Sequence, residues 1–206
     1  NIATMSTEKQ VSGTKTLAIK ERYAKVRASC QSKGTRGAKR LLRRLAGKER
    51  RFVSWVNHNV SKSIVSEALA NGRGLIRFEN LKGIRERTRC WNKHKNRMMA
   101  GWSFFELQTF SKYKAERAGL ATEFVNPAWT SETCHLCGCR GVRSFAKFWF
   151  YCLTCDRVLD ADKNAAKNIE AGGVRAGVIP AVRNGTRIAE IVDFFVHGRQ
   201  AKAARL

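Results

Sequence analysis

Residues 134–166 read CHLCGCRGVRSFAKFWFYCLTCDRVLDADKNAA, and this stretch decides how the rest of the chain is interpreted. It contains two Cys-x-x-Cys pairs, Cys134 with Cys137 and Cys152 with Cys155, and 14 residues separate the pairs. Zinc is held tetrahedrally by four thiolates in such paired turns, and this spacing leaves room for a β-hairpin between them. The four cysteines therefore predict a complete Zn²⁺ site. Because four protein ligands leave no open coordination position, we expect this zinc to be structural and not catalytic.

Two neighbouring side chains leave alternatives open within the first pair. His135 and Cys139 are spare ligands, and Cys139 can take the place of Cys137 in the same turn. The competing interpretation of the whole cluster is a set of reduced cysteines without metal. Cys30 and Cys90 lie far from any such pair and are interpreted as ordinary free cysteines.

Two carboxylates stand at positions typical of hydrolytic metal sites. Glu79 ends an apolar stretch that predicts a strand over residues 74–79, and Asp162 precedes an Ala-rich segment that predicts a helix. Each has a simpler explanation, since Glu79 can be a charge entering a loop and Asp162 a helix N-cap. Phosphodiester hydrolysis by Mg²⁺ or Mn²⁺ needs several carboxylates at one point, and in open sheets with helices such groups gather at strand ends. We therefore expect Glu79 and Asp162 to share a divalent metal site.

The charge of the chain favours a polyanionic partner. Lys and Arg number 40 against 16 Asp and Glu, which gives a net charge of +24. A basic run at residues 36–51 predicts phosphate contacts, and its alternative is a solvated helix face. The residues assigned to nucleic-acid binding are Arg36, Arg40, Arg43, Arg44, Lys48 and Arg51.

The hydropathy and cysteine usage argue against a membrane protein. No apolar run is long enough to span a bilayer and no apolar signal segment is visible, so we expect a cytoplasmic protein without a membrane partner. In that compartment, seven cysteines favour metal binding or free thiols over disulfides.

The remaining pattern predicts a chain of alternating strands and helices. The predicted elements are strands at 1–5 and 16–19, a basic helical segment from 20 to 51 broken near 34–37, a helix at 52–70, a strand at 74–79, a helix over 102–113 that Gly119 ends, a strand at 122–126 and a helix at 163–171.

Four stretches, in this order along the chain, resemble the TnpB family, the OrfB-type transposon-associated nucleases related to the type V CRISPR effectors. They are the basic helical segment from 34 to 58, IRFENL at 76–81, the approach to the first cysteine pair between 113 and 134, and DADKNAAKNI at 160–169. The resemblance covers about residues 1–172.

The resemblance implies an α/β fold of the RNase H-like (RuvC) type, with a mixed sheet and helices, an inserted zinc ribbon and no first strand. The core then comprises residues 1–130 and 157–172, the ribbon at 131–156 binds target nucleic acid, and the tail at 173–206 has no assigned role. By its motifs, Glu79 is the second catalytic carboxylate and Asp162 the third. Asp160 is a second-line candidate.

Members of this family cut DNA under the direction of a transposon-encoded guide RNA, whose base pairing reads the sequence. The resemblance therefore implies a transposon-encoded, RNA-guided DNA endonuclease module, involved in DNA transposition and recombination, with DNA and a guide RNA as partners. The aspartate of the family's first motif would precede Asn1, so we expect either a fragment of a complete protein or the product of a decayed gene. The alternative function is a catalytically silent nucleic-acid-binding remnant that keeps a structural zinc ribbon.

Overall fold

The computed structural model of the chain describes residues 1–83, 103–144 and 148–174. The chain divides into two compact units, of which the first comprises Asn1–Ala3 with Gln10–Glu123 and the second Thr4–Lys9 with the described residues from Phe124 onward. The predicted partition at residues 130 and 157 is a different one and stays a prediction. Most of the predicted tail, and Cys90, lie outside the described residues. Among the described helices, none combines the length and the apolar character that a bilayer span needs.

The N-terminal part of the chain forms a short strand pair and two long helices. Strand β1 (Ala3–Thr4) pairs with β2 (Gln10–Val11), and helices α1 (Thr14–Lys33) and α2 (Arg36–Ala70) follow. Gly34, with φ +62, ends α1, and the Thr35 hydroxyl accepts a hydrogen bond from Ala38 N at 3.2 Å to cap α2. The predicted break near 34–37 is confirmed.

The predicted strand at residues 16–19 is wrong, because these residues lie inside α1. Thr16 and Ile19 favour strands intrinsically, but no turn residue follows them, and the chain continues directly into helix-forming basic residues. The predicted helix at 52–70 is confirmed, and it forms the second half of one continuous helix, α2.

Helix α2 packs against both α1 and helix α3 (Phe104–Arg117). Strand β3 (Leu75–Glu79) pairs with β4 (Ala121–Val125), and the core of the first unit gathers side chains from α2, β3, α3 and the turn before β4. The residues of that core are Val65, Ile76, Ala115 and Leu120. Mixed α/β content is thus observed, whereas the RNase H-like arrangement of the sheet stays a prediction.

The second unit is built on a three-stranded antiparallel sheet followed at once by a helix. Strands β5 (Val142–Ser144), β6 (Trp149–Cys152) and β7 (Arg157–Asp160) are adjacent in that order, and helix α4 (Ala161–Glu170) starts at the residue after β7. Phe150 is fully buried and packs with Cys134, Cys152 and Ala161. A Cβ at Gly141 would lie 2.3 Å from the carbonyl oxygen of Tyr151, so only glycine fits where the chain enters this sheet.

Candidate functional site

The two cysteine pairs meet at one point of the second unit. The sulfur atoms of Cys134, Cys137, Cys152 and Cys155 all lie within 4.8 Å of one another, and those of Cys137 and Cys152 are 3.5 Å apart. Tetrahedral zinc with Zn–S bonds of about 2.3 Å places its sulfur ligands about 3.8 Å apart. The cluster therefore fits the ion in donor type, number and spacing. Cys139 is not a member, and its thiol instead faces the carbonyl oxygen of Cys137 at 3.8 Å.

The first cysteine turn is shaped by backbone hydrogen bonds. Cys134 N donates to the carbonyl oxygen of Cys139 at 2.9 Å, and Gly138 N donates to that of Cys134 at 2.9 Å. Gly138 has φ +72, which explains a glycine directly after the second cysteine of the pair. Thr133 bridges to Arg140 in antiparallel fashion and closes the turn behind the two thiols.

The second turn places a hydrogen-bond donor on a thiol. Cys152 ends β6, and Cys155 N donates to its sulfur at 3.4 Å. Desolvation raises the pKa of Cys152, but several hydrogen bonds, among them those from the Cys155 N–H and the Cys137 thiol, together lower that pKa overall. Partial desolvation raises the pKa of Cys137, and the neighbouring thiols of Cys155 and Cys152 raise it further. Because zinc binds thiolates, loading the site must release protons.

Two buried asparagines of α4 join this cluster to the helix, and neither was predicted from the sequence. Asn164 is 1% exposed; its side-chain oxygen accepts from His135 N at 2.9 Å, and its Nδ2 donates to the Thr133 carbonyl oxygen at 2.7 Å. Asn168 Nδ2 donates to the carbonyl oxygens of Thr130 at 2.8 Å and Thr133 at 2.7 Å. The polar i, i+4 spacing in an Ala-rich helix was the available signal, because it places both amides on one face.

The asparagine link also settles the role of His135. Its Nδ1 lies 2.9 Å from Asn164 Oδ1, which is an acceptor, so this nitrogen carries the proton and donates. His135 was predicted as a spare zinc ligand. Its Nδ1 is engaged by α4, and His135 is not among the four side chains whose ligand atoms converge.

The structure corrects the role given to Asp162 in helix capping. The N-cap of α4 is Asp160, whose Oδ1 accepts from Asp162 N at 3.0 Å and from Lys163 N at 2.9 Å. Because β7 runs into α4 without a loop, the helix starts earlier than predicted, and Asp162 falls in its first turn. The Asp162 carboxylate accepts from Arg143 Nη2 at 3.3 Å.

Glu79 is the last residue of β3, as predicted, and its backbone oxygen accepts from Gln108 Nε2 of α3 at 2.8 Å. The first unit contains Glu79 and the second contains Asp162. Their convergence on one metal site stays a prediction.

The basic run forms one face of α2. An α-helix turns about 100° per residue, so the six predicted phosphate contacts fall within about 140° of arc and extend about 22 Å along the axis. All six are exposed, whereas Ala38 on the opposite side is buried and Glu49 on that side pairs with Arg27 of α1. We call this set the α2 basic face. Its members are Arg36, Arg40, Arg43, Arg44, Lys48 and Arg51.

Comparison with known proteins identifies relatives of the chain. Residues 104–169 match the profile of the family described as Cas12f1-like, TNB domain. The TnpB-like protein MJ0751 of Methanocaldococcus jannaschii is 34% identical over 154 residues, which are 73% of this chain and 55% of that protein. The CRISPR-associated endodeoxyribonuclease Cas12f1 of Sulfoacidibacillus thermotolerans is 33% identical over 129 residues, 62% of this chain and 29% of the relative. This chain is related to the TnpB-like and Cas12f proteins.

The fold agrees with that relationship. A solved complex of Cas12f1 with a single guide RNA and target DNA superimposes with a TM-score of 0.61 at 22% identity, over 78% of this chain and 43% of that one. The match to MJ0751 spans about half the length of that protein, and the matches to the Cas12f proteins span less of theirs. Within the Cas12f1-like TNB match lie the cysteine cluster, both asparagines and Asp162, while Glu79 and the α2 basic face lie outside it.

Proposed function

We propose that this chain is a module of a transposon-encoded, RNA-guided DNA endonuclease that hydrolyses phosphodiesters with Mg²⁺ or Mn²⁺. One observation carries the proposal. Within the stretch that matches the TNB domain family, four converging thiols are tied through Asn164 to the helix that bears Asp162. A site for a structural ion and a carboxylate suited to a hard cation therefore belong to one compact unit.

In this proposal the four cysteines hold Zn²⁺, which fixes the two turns and the edge of the sheet that carries them. The ion supplies no chemistry to the reaction, since its coordination sphere is full. Cys134 and Cys152 are buried among Phe150 and Ala161, so the ion also completes the small core of the second unit. The ribbon formed in this way is the element that we expect to hold target nucleic acid.

Glu79 and Asp162 are the proposed ligands of the hydrolytic metal. Carboxylate oxygens are the donors that Mg²⁺ and Mn²⁺ prefer, and such ions, when bound, activate water and stabilise the leaving oxygen. Asp160 is less suited to this role than the resemblance implied, because its Oδ1 already accepts two backbone hydrogen bonds at the start of α4.

The α2 basic face is the proposed track for nucleic-acid phosphates. Six exposed cations on one helix side, in a chain of net charge +24, provide contacts that are independent of sequence. One relative is named as a CRISPR-associated endodeoxyribonuclease, and a Cas12f1 protein is solved with guide RNA and target DNA. We therefore propose DNA and a guide RNA as partners of this chain as well. Base pairing between the guide RNA and the DNA would supply the sequence specificity.

A second candidate function is nucleic-acid binding without cleavage. The ion pair between Arg143 and Asp162 favours it, because a carboxylate held by a guanidinium is neutralised without a metal ion. Both side chains are largely buried, at 19% and 25% side-chain exposure, so the pair is not a loose surface contact.

Cleavage of labelled single-stranded DNA with and without Mg²⁺ distinguishes the two candidates. The zinc-loaded chain is compared with Glu79→Gln and Asp162→Asn, and Asp160→Asn serves as the matched control because asparagine also caps helices well. The endonuclease proposal predicts Mg²⁺-dependent cleavage that both carboxylate variants lose and Asp160→Asn retains. Salt-sensitive binding without cleavage selects the silent candidate. Equal cleavage by the wild type and both variants would show that a contaminant cuts the DNA.

A further inference from the structure

The indole of Trp129 lies just before the first cysteine turn and takes no part in the proposed metal sites. The guanidinium carbon of Arg140 lies 3.8 Å from the centroid of the indole ring. Arg140 Nη2 also donates to Glu132 Oε2 at 2.8 Å, which fixes the guanidinium over the ring. Trp129 is nevertheless 43% exposed, so a large part of this residue is accessible to solvent.

The fold holds this tryptophan in an unfavourable backbone conformation. Trp129 has φ +65, in the left-handed region that a bulky residue rarely adopts. Its carbonyl oxygen accepts from Glu132 N at 3.0 Å, and the next residue, Thr130, is buried and hydrogen-bonded through its carbonyl oxygen to Asn168 of α4. Such strain persists only where the surroundings over-determine it, and it gathers at binding sites. The surroundings here present a large aromatic ring to solvent.

A rigid exposed indole beside a planar cation matches the chemistry of base stacking. Unpaired bases stack on aromatic rings and on guanidinium planes, and the interaction tolerates any base because every base has a π-face. Glu132 offsets the charge of Arg140 locally, but the chain as a whole has a net charge of +24 and attracts polyanions. The pair therefore contributes a stacking surface, while cations elsewhere in the chain supply the attraction to phosphates.

We propose that Trp129 and Arg140 form a stacking platform for an unpaired base of a single-stranded nucleic acid. The proposal rests on the proposed function, because it names the part of the nucleic acid that the second unit recognises. Single-stranded DNA and single-stranded RNA both offer an unpaired nucleobase to this platform. They differ in the sugar, so the experiment compares the two.

Stacking and phosphate contact respond differently to salt, so a salt titration can tell them apart. Neutralising phosphates releases counterions, and affinity then depends steeply on salt concentration. Stacking a base releases none of them, so loss of the platform lowers affinity at every salt concentration and leaves the slope of log K against log salt unchanged.

The experiment measures binding of the full, zinc-loaded chain to labelled oligonucleotides of about 12 residues, near the site sizes of single-strand binders. One set carries every base, and a matched set lacks the four central bases but keeps all phosphates. Both sets are made as DNA and as RNA. For the wild type we expect the missing bases to weaken binding about tenfold, within the range for one stacked base. Trp129→Ala should weaken binding to the intact oligonucleotide by the same factor and leave binding to the abasic one unchanged.

Each other outcome overturns the platform. If removing the bases weakens binding equally in wild type and Trp129→Ala, the indole does not stack a base, while phosphate binding and the proposed function stand. If Trp129→Ala changes the salt slope, the pair contacts phosphates instead. If the wild type binds no oligonucleotide, both this proposal and the proposed function fail.

Three further variants separate stacking from other effects of these side chains. Trp129→Phe keeps an aromatic ring and should restore part of the affinity. Arg140→Lys keeps the charge but loses the planar group, so it should weaken intact oligonucleotides more than abasic ones. Phe105→Ala removes a ring that is 83% exposed elsewhere in the chain, and the base effect should survive it. Zinc content and circular dichroism confirm that each variant is folded.

Discussion

Removing the charges of the α2 basic face tests whether this face binds the phosphates of nucleic acid. The variant replaces four arginines that share one side of the helix with glutamine, namely Arg36, Arg40, Arg43 and Arg51. Glutamine is a good helix former, and all four side chains are exposed, so α2 and its packing against α1 should persist. The change therefore removes charge without removing structure.

The expected change in the salt dependence of binding follows from the number of phosphates that lose a cationic partner. Each phosphate contact on duplex DNA contributes about 0.9 to the slope of log K against log salt, so four phosphates contribute about 3.6. Between about 50 mM and about 200 mM salt, the affinity of the wild type should therefore fall about 150-fold further than that of the variant. On a single strand each phosphate contributes about 0.7, so the slope should change by about 2.8.

Fluorescence anisotropy with a labelled duplex and a labelled single strand, repeated across salt concentrations, measures both slopes. The matched control neutralises four exposed cations of the neighbouring helix α1, namely Lys15, Arg22, Lys25 and Lys33, and so removes the same net charge. We expect the control to keep most of the wild-type slope. Equal slopes in the wild type and the α2 variant would refute the assignment, and an equal decrease of the slope in the two variants would show diffuse attraction without a phosphate track.

The remaining predictions concern the second unit. Chelation of zinc, or Cys134→Ser, should abolish binding of one zinc ion per chain and disorder β5–β7 while the α2 signal in circular dichroism remains, since the proposed ion would join the buried thiols of the core there. Asn164→Ala should weaken zinc affinity by about 10-fold to 100-fold in a chelator competition, as removal of a group that supports a metal site does, and Asn164→Asp should weaken it less because it keeps the acceptor for His135 N. Asp160→Ala should lower the free energy of unfolding by about 1 kcal/mol in urea titrations, and Asp160→Asn should change it little. Hydrogen bonds from Lys167 and Lys163 lower the pKa of Glu8. The contact between residues 4–9 and α4 should therefore be fully formed at a pH above the ordinary pKa of a glutamate and be lost as the pH falls through the lowered pKa of Glu8. Hydrogen exchange of residues 4–9, measured as a function of pH, can follow this loss.

The cysteine cluster could be predicted from the sequence because the ligands of each pair lie close together along the chain. Two tight turns each fix a pair of thiols, and only their meeting depends on tertiary structure, which the intervening sheet provides. It predicted β3 and its terminal Glu79 for the same reason, since an apolar run bounded by glycine and a polar turn needs no distant partner to be recognised.

The wrong predictions concern segments whose conformation depends on neighbouring or distant parts of the chain. Intrinsic preference favoured a strand at residues 16–19, but continuity with the following helical segment prevails. Either Asp160 or Asp162 can cap a helix by residue type, and the choice depends on β7 ending directly at α4. The stack of Trp129 with Arg140 joins residues on either side of the first cysteine turn, so it depends on a turn geometry that spacing alone does not give.

The distribution of backbone strain gives a reason why the second unit would depend on the proposed zinc ion. In the described part of the chain, the non-glycine residues with positive φ are Glu8, Trp129, Phe148 and Asp156, and all four lie in this unit. Each such conformation costs about 1–2 kcal/mol, and among the described residues the fully buried side chains that oppose it include only one large apolar residue, Phe150. Four such residues cost about 4–8 kcal/mol together, and a structural zinc ion contributes on the order of 10 kcal/mol to folding, which is enough to offset this strain. We therefore expect the surface that carries Trp129 to be ordered only when the four thiols hold their metal ion, so that zinc binding and base stacking are coupled.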